Sequence, residues 1–124
     1  MPVITPADAT VHEVHGARFT SFAAPSSGSA ELAAWHLDVP AGSRGVPHTV
    51  TREEVLYVLE GELLITLDGT DTPARPGDAV LVPVGVGFAV SNPGAHPARA
   101  WVTTSAGLQA RLADGTLMTP PWAS

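Results

Sequence analysis

Apolar residues recur along this chain in short runs, interrupted every few positions by Gly, Pro or an acidic turn pair. Residues 17–23 form the first run and end at the flexible stretch Pro25-Ser26-Ser27-Gly28-Ser29. A longer run over 30–39 stops at Pro40-Ala41-Gly42. Runs at 55–59 and 63–67 flank Glu60-Gly61-Glu62, and the second ends at Asp68-Gly69, a strong tight-turn signal. Further runs cover 79–82, 88–91 and 99–104. Only 107–113 carries a short helical pattern. Closely spaced strands with Gly and Pro punctuation predict an all-β barrel or sandwich.

Composition agrees with one packed domain. A chain of 124 residues, 44% hydrophobic and with a mean hydropathy of +0.17, can bury roughly two-thirds of its unfolded surface. Gly and Pro number 12 each, without a repeat, which suits many short strands. The formal charge of −6, with six Lys and Arg in all, argues against a nucleic-acid partner and against an anionic membrane surface. No apolar run approaches the ~20 residues that span a bilayer. The first residues lack the charged start and apolar block of a signal peptide. The absence of cysteine removes disulfides and thiolate chemistry. A cytoplasmic protein is expected.

Two blocks of fixed spacing narrow the fold. The first reads Gly42, five residues, His48-Thr49-Val50, three residues, Glu54, six residues, Gly61. The second reads Gly77, five residues, Pro83-Val84-Gly85, two residues, Phe88, three residues, Asn92. Gly61 suits a close backbone return between two strands, and Pro83 ends a strand because it cannot donate to the ladder. Together the blocks resemble the two motifs of the cupin family. That resemblance implies a double-stranded β-helix, the jelly-roll cupin barrel, as a single domain over 1–124. Its core would lie at about 30–104, with an N-terminal arm at 1–16 and a C-terminal extension at 105–124.

The resemblance also implies a metal site, with His-x-His and Glu from the first block and a further His from the second. Residues two apart on a strand share a face, so positions 48 and 50 would look inward together. Here Val50 and Phe88 stand at two of the four ligand positions, leaving His48 and Glu54. Catalytic zinc keeps three protein ligands, and non-heme iron takes two His and one carboxylate. A tightly bound metal is therefore not expected, and no cofactor is. His36 is the candidate third ligand, and with His48 and Glu54 it would give a rearranged site for Fe, Mn, Ni, Zn or Cu. The alternation of Trp35, Leu37 and Val39 sets His36 on the opposite face, so the pattern leaves its direction open. His12 and His15 read as a solvated N-terminal segment, and His96 as surface.

Without a metal, a buried Glu54 beside His48 forms an acid–base pair, since burial raises a carboxyl pKa toward neutrality. A simple His48–Glu54 hydrogen bond explains the same two residues equally well. Val50, Leu56, Val58 and Phe88, with His36 and Trp101, are the expected pocket lining for a small apolar organic ligand. Tyr57 would point away, toward a homodimer interface implied by the resemblance and by the doubly apolar run 55–59. Three functional readings follow: a metal-independent isomerase or cyclase, a metal-dependent oxygenase or isomerase, and a non-catalytic ligand sensor.

Overall fold

The computed structural model describes residues 3–124. Its strands are β1 (Thr10–Val14), β2 (Ala17–Ala23), β3 (Leu32–Val39), β4 (His48–Val50), β5 (Glu54–Glu60) and β6 (Leu63–Leu67). They continue as β7 (Thr70–Ala74), β8 (Ala79–Val82), β9 (Phe88–Ser91), β10 (Ala98–Ser105), β11 (Ala110–Leu112) and β12 (Leu117–Met118). Two six-stranded antiparallel sheets result, in the orders β1-β2-β3-β10-β5-β8 and β12-β11-β4-β9-β6-β7. This is the all-β architecture expected from the strand pattern, in the jelly-roll form that the cupin resemblance implies. No helix among the described residues is long and apolar enough to cross a membrane.

The side-chain period of a strand sorts the chain between inside and outside. On β5, Glu54, Leu56 and Val58 are buried while Val55, Tyr57 and Leu59 are exposed. On β10, Ala98, Ala100, Val102 and Thr104 face inward and alternate with half-buried residues. Leu56, Val58, Leu63, Ile65, Val82 and Val102 sit at 2% exposure or less in the shared core.

Both ends of the chain contribute more than the sequence pattern foretold. The segment read as an N-terminal arm forms β1, which pairs along its whole length with β2. The connecting turn has positive φ at His15 (51°) and Gly16 (79°), the conformation that matches the twist of a two-residue hairpin. Asp68 (49°) and Gly69 (76°) make the same turn between β6 and β7. The helical pattern at 107–113 is overridden: Ala110–Leu112 is a strand paired to β4 on one side and β12 on the other. Ladder partners and burial of Leu108 and Ala110 outweigh the propensity of so short a segment. Beyond it, Trp122 stacks on Phe19 at 3.7 Å between centroids and meets the edge of Trp35 at 6.4 Å.

Gly61 shows the tightest requirement for a missing side chain among the motif glycines. It has φ +70°, and an added Cβ would lie 2.5 Å from the Pro97 carbonyl oxygen and 2.8 Å from Ala98 Cα. Gly77 has φ +96° but open space around it. Gly61→Ala is therefore expected to cost about 2–4 kcal/mol of stability and Gly77→Ala about 1 kcal/mol, as read by urea unfolding. Equal losses would show that backbone strain alone, and not the approach to Pro97, sets the cost.

Candidate functional site

Between the sheets lies a cavity of about 140 Å³. Its walls are mainly apolar, with Leu37, Val50, Leu56, Phe88, Val90 and Val102 from the strands of both sheets. Phe19, Trp35, Met118 and Trp122 enclose it further. Into this apolar space project two chemically competent groups, His48 and Glu54.

Glu54 enters the interior because it shares parity with Leu56 and Val58 on a central strand of the first sheet. It is 6% exposed, and no side-chain hydrogen bond reaches it among the described residues. The hydroxyl nearest in register is that of Thr104, its ladder partner, and that group donates instead to the Glu53 carbonyl oxygen at 2.6 Å. Desolvation is thus uncompensated, and burial pushes the Glu54 carboxyl from its ordinary 4.5 up to about 7. Glu53, on the opposite face, is exposed.

His48 belongs to the short strand β4, held between β9 and β11. Its Nδ1 lies 2.8 Å from the Val46 carbonyl oxygen. A carbonyl only accepts, so the neutral ring carries its proton on Nδ1 and leaves Nε2 with a free lone pair. The ring meets the edge of Phe88, its ladder partner, at 5.3 Å between centroids. His48 and Glu54 line one cavity from opposite sheets and are not hydrogen-bonded to each other.

Half of the expected pocket lining faces the cavity and half does not. Val50, Leu56 and Phe88 line the cavity, whereas Val58 is buried in the core outside its wall. His36 and Trp101 lie elsewhere. Strand alternation places both on the outer face of the first sheet, where His36 packs against Phe22 at 5.2 Å and Trp101 at 5.1 Å. Burial first, and then the nearby Arg99 charge, hold the His36 imidazole below its ordinary pKa. The donor set His48, Glu54 and His36 is therefore not assembled. No group of three or more His, Cys, Asp or Glu side chains suited to a metal ion occurs among the described residues. The residues present do not fit the four-ligand centre implied by the cupin resemblance.

Sequence reasoning missed the residues at the opening. His15, read as part of a solvated tail, sits on the β1–β2 turn and lines the cavity with Arg44, and both are exposed. The available signal was His15-Gly16 between two strand-like runs, a pair suited to a positive-φ turn. Trp35 also lines the cavity, and its Nε1 is the one buried side-chain polar atom without a partner among the described residues.

The raised pKa of Glu54 links directly to stability. Protonation favours the folded state fully below pH 4.5, and that advantage is lost as pH rises to and through about 7. Wild-type stability is expected to fall by about 3 kcal/mol across this window for Glu54 alone. Glu54→Gln should lack that fall, as urea unfolding at pH 4.5 and pH 8 would show. An identical pH dependence in the variant would mean that Glu54 ionises at its ordinary pKa.

Comparisons with known proteins bear on this geometry. An uncharacterized protein of Methanocaldococcus jannaschii is 37% identical over 60 residues, 48% of this chain and 48% of that protein. The match thus spans about half the length of the curated relative. The polyketide cyclase RemF of Streptomyces resistomycificus superposes with a TM-score of 0.75 at 20% identity, covering 85% of this chain and 79% of that one. Pac13, a nucleoside dehydratase of Streptomyces, gives 0.69 at 17% identity, covering 86% and 83%. At these identities the two structures establish a shared fold. A cupin-domain sequence profile matches residues 35–104, more than half of the chain, and with the two-sheet barrel it shows that the protein belongs to the cupin family.

Proposed function

We propose that this cupin barrel binds a small, mainly apolar organic molecule and moves protons on it through Glu54 and His48, without a tightly held metal. The observation that carries the reading is a carboxyl with a pKa of about 7 in the same apolar cavity as an imidazole with a free Nε2. An acid poised near neutrality is suited to general acid–base catalysis. The unpaired Trp35 Nε1–H supports a ligand with an acceptor atom, because buried donors are ordinarily satisfied. Relatives of the same fold include a polyketide cyclase and a nucleoside dehydratase, both named for small-molecule reactions.

The chemistry balances within the chain's own residues. Neutral Glu54 donates its proton to a carbonyl or hydroxyl oxygen, and His48 Nε2 takes a proton from an adjacent carbon. With a carbonyl, the product is the enol and the result is isomerisation. With a hydroxyl, the C–O bond breaks, water leaves and a C=C bond forms. Return of one proton from the His48 imidazolium to the Glu54 carboxylate restores the starting state.

The test is exchange of the benzylic protons of phenylacetone for deuterium in D2O, followed by NMR on chelator-treated protein. Catalysed exchange is expected to survive the chelator and to weaken as pH rises above about 7, where the acid form of Glu54 is lost. Glu54→Gln should lower the rate about 10²–10⁴-fold. An unchanged rate in that variant, or loss of exchange in the chelator, would overturn the acid–base reading.

A homodimer through the outer face of the first sheet accompanies this reading. Val55 and Tyr57 are each 44% exposed and Leu81 is 56% exposed, beside the Phe22–His36–Trp101 cluster. Val55 and Leu81 are ladder partners, as are Tyr57 and Trp101, so the apolar groups are contiguous. An uncharged stripe lets two copies approach despite a charge of −6 on each. Sedimentation should give about twice 12.7 kDa for the wild type and the single mass for Leu81→Glu. A monomeric wild type would sink this part of the proposal.

A further inference from the structure

The opening of the cavity differs from its walls in charge. Among the described residues, apart from the buried Glu54 and the half-buried His48, the titratable or charged side chains lining the cavity are His15 and Arg44, both exposed at its mouth. No carboxylate among the described residues shares that rim with them.

Arg44 is set apart from the other arginines. Arg18, Arg75 and Arg99 form ion pairs with Glu13, Glu62 and Asp38. Arg52 donates to the Ser105 hydroxyl, and Arg111 to the Gly115 carbonyl oxygen. Among the described residues the Arg44 guanidinium has neither an ion pair nor a hydrogen bond, in a chain with twice as many acidic as basic side chains, 12 against 6. Its backbone, by contrast, is pinned on both sides. The Ser43 hydroxyl donates to the Pro40 carbonyl oxygen at 2.7 Å, and the Ser43 carbonyl oxygen accepts from the Asn92 N–H at 2.9 Å. Gly45 donates its N–H to the Ser91 hydroxyl at 2.9 Å and lies so close to the Val90 backbone that an added Cβ would collide with it. A free guanidinium on a fixed loop is a preorganised receptor for an anion.

His15 is fixed there by the β1–β2 hairpin. Its φ of 51°, with 79° at Gly16, makes the same two-residue turn that Asp68 and Gly69 make between β6 and β7.

The cavity volume constrains the rest of the molecule. At about 140 Å³ it is comparable with the ~150 Å³ apolar cavity that accommodates benzene in another protein. One aromatic ring fills such a space. A guanidinium fork matches a carboxylate in two parallel hydrogen bonds, and one permanent cation suits a monoanion better than a phosphate dianion.

Resting on the small-molecule reading of the same cavity, we propose that the ligand is a one-ring aromatic carboxylate, with its ring among the apolar walls and its carboxylate on Arg44 beside His15. The anionic end thereby selects the ligand and orients its ring end toward Glu54 and His48.

Calorimetric titration of the full chain at pH 6 and low salt with 3-phenylpropanoate, 3-phenylpropan-1-ol and phenyl phosphate tests it. The carboxylate is expected to bind at least ~10-fold more tightly than the alcohol, the scale of one charge-assisted contact. Arg44→Gln should bring the two to the same affinity. His15→Asn retains a residue tolerant of positive φ and should narrow the difference, and an unchanged difference would remove His15 from the site. Equal binding of acid and alcohol by the wild type would overturn the anion proposal while leaving the apolar pocket intact. So would an advantage that survives Arg44→Gln, or tighter binding of phenyl phosphate. Failure of all three probes to bind would overturn the pocket reading and this proposal with it.

Discussion

The period-two alternation of β5 and β10 is the constraint on which the rest of the molecule depends. These central strands of the first sheet pair with each other and supply one wall of the barrel. Leu56, Val58, Ala100 and Val102 can be buried only if Glu54 and Thr104 turn inward with them. A shift of one residue would expose that apolar set and bury Tyr57, Arg99 and Trp101. The acid at the centre of the barrel is therefore tied to the same register that forms the core. Its desolvation is opposed by the packing of the whole strand rather than by a local partner.

The apolar residues at the two substituted motif positions shape what that acid can do. Val50 and Phe88 remove imidazoles from the interior and leave Glu54 without a neighbouring cation. An apolar wall offers the carboxylate little solvation, and the neutral carboxyl persists up to about pH 7. His48 contributes through a different device: the Val46 carbonyl selects its tautomer and so frees Nε2. In the proposed acid–base reading, side chains at two metal-motif positions would act through burial and one backbone contact instead.

The fold was legible because its signals are local and redundant. Runs such as 63–67 and 79–82 are bounded by Gly, Pro and Asp-Gly, and the structure places strands there with the same limits. Inward placement of Glu54 followed from the cupin motif, and parity then set Leu56 and Val58 beside it and Tyr57 outward. Strand β11 was misread as helical because its stability comes from β4 and β12, which a local pattern cannot represent. His36 and Trp101 were placed by chemical type in a pocket that their strand parity denies them. Arg44 and His15 were illegible for a different reason. Both sit in connections far apart in sequence, and only closure of the barrel brings them to one opening.

Position 50 has a consequence for mutational distance. Val50, Phe88, His48 and Glu54 all line one cavity, so the backbone places all four motif positions on its wall. A barrel with this apolar lining and one with three imidazoles and a carboxylate at the same four positions are two substitutions apart. The same strand register can therefore carry either interior, with the difference confined to positions 50 and 88.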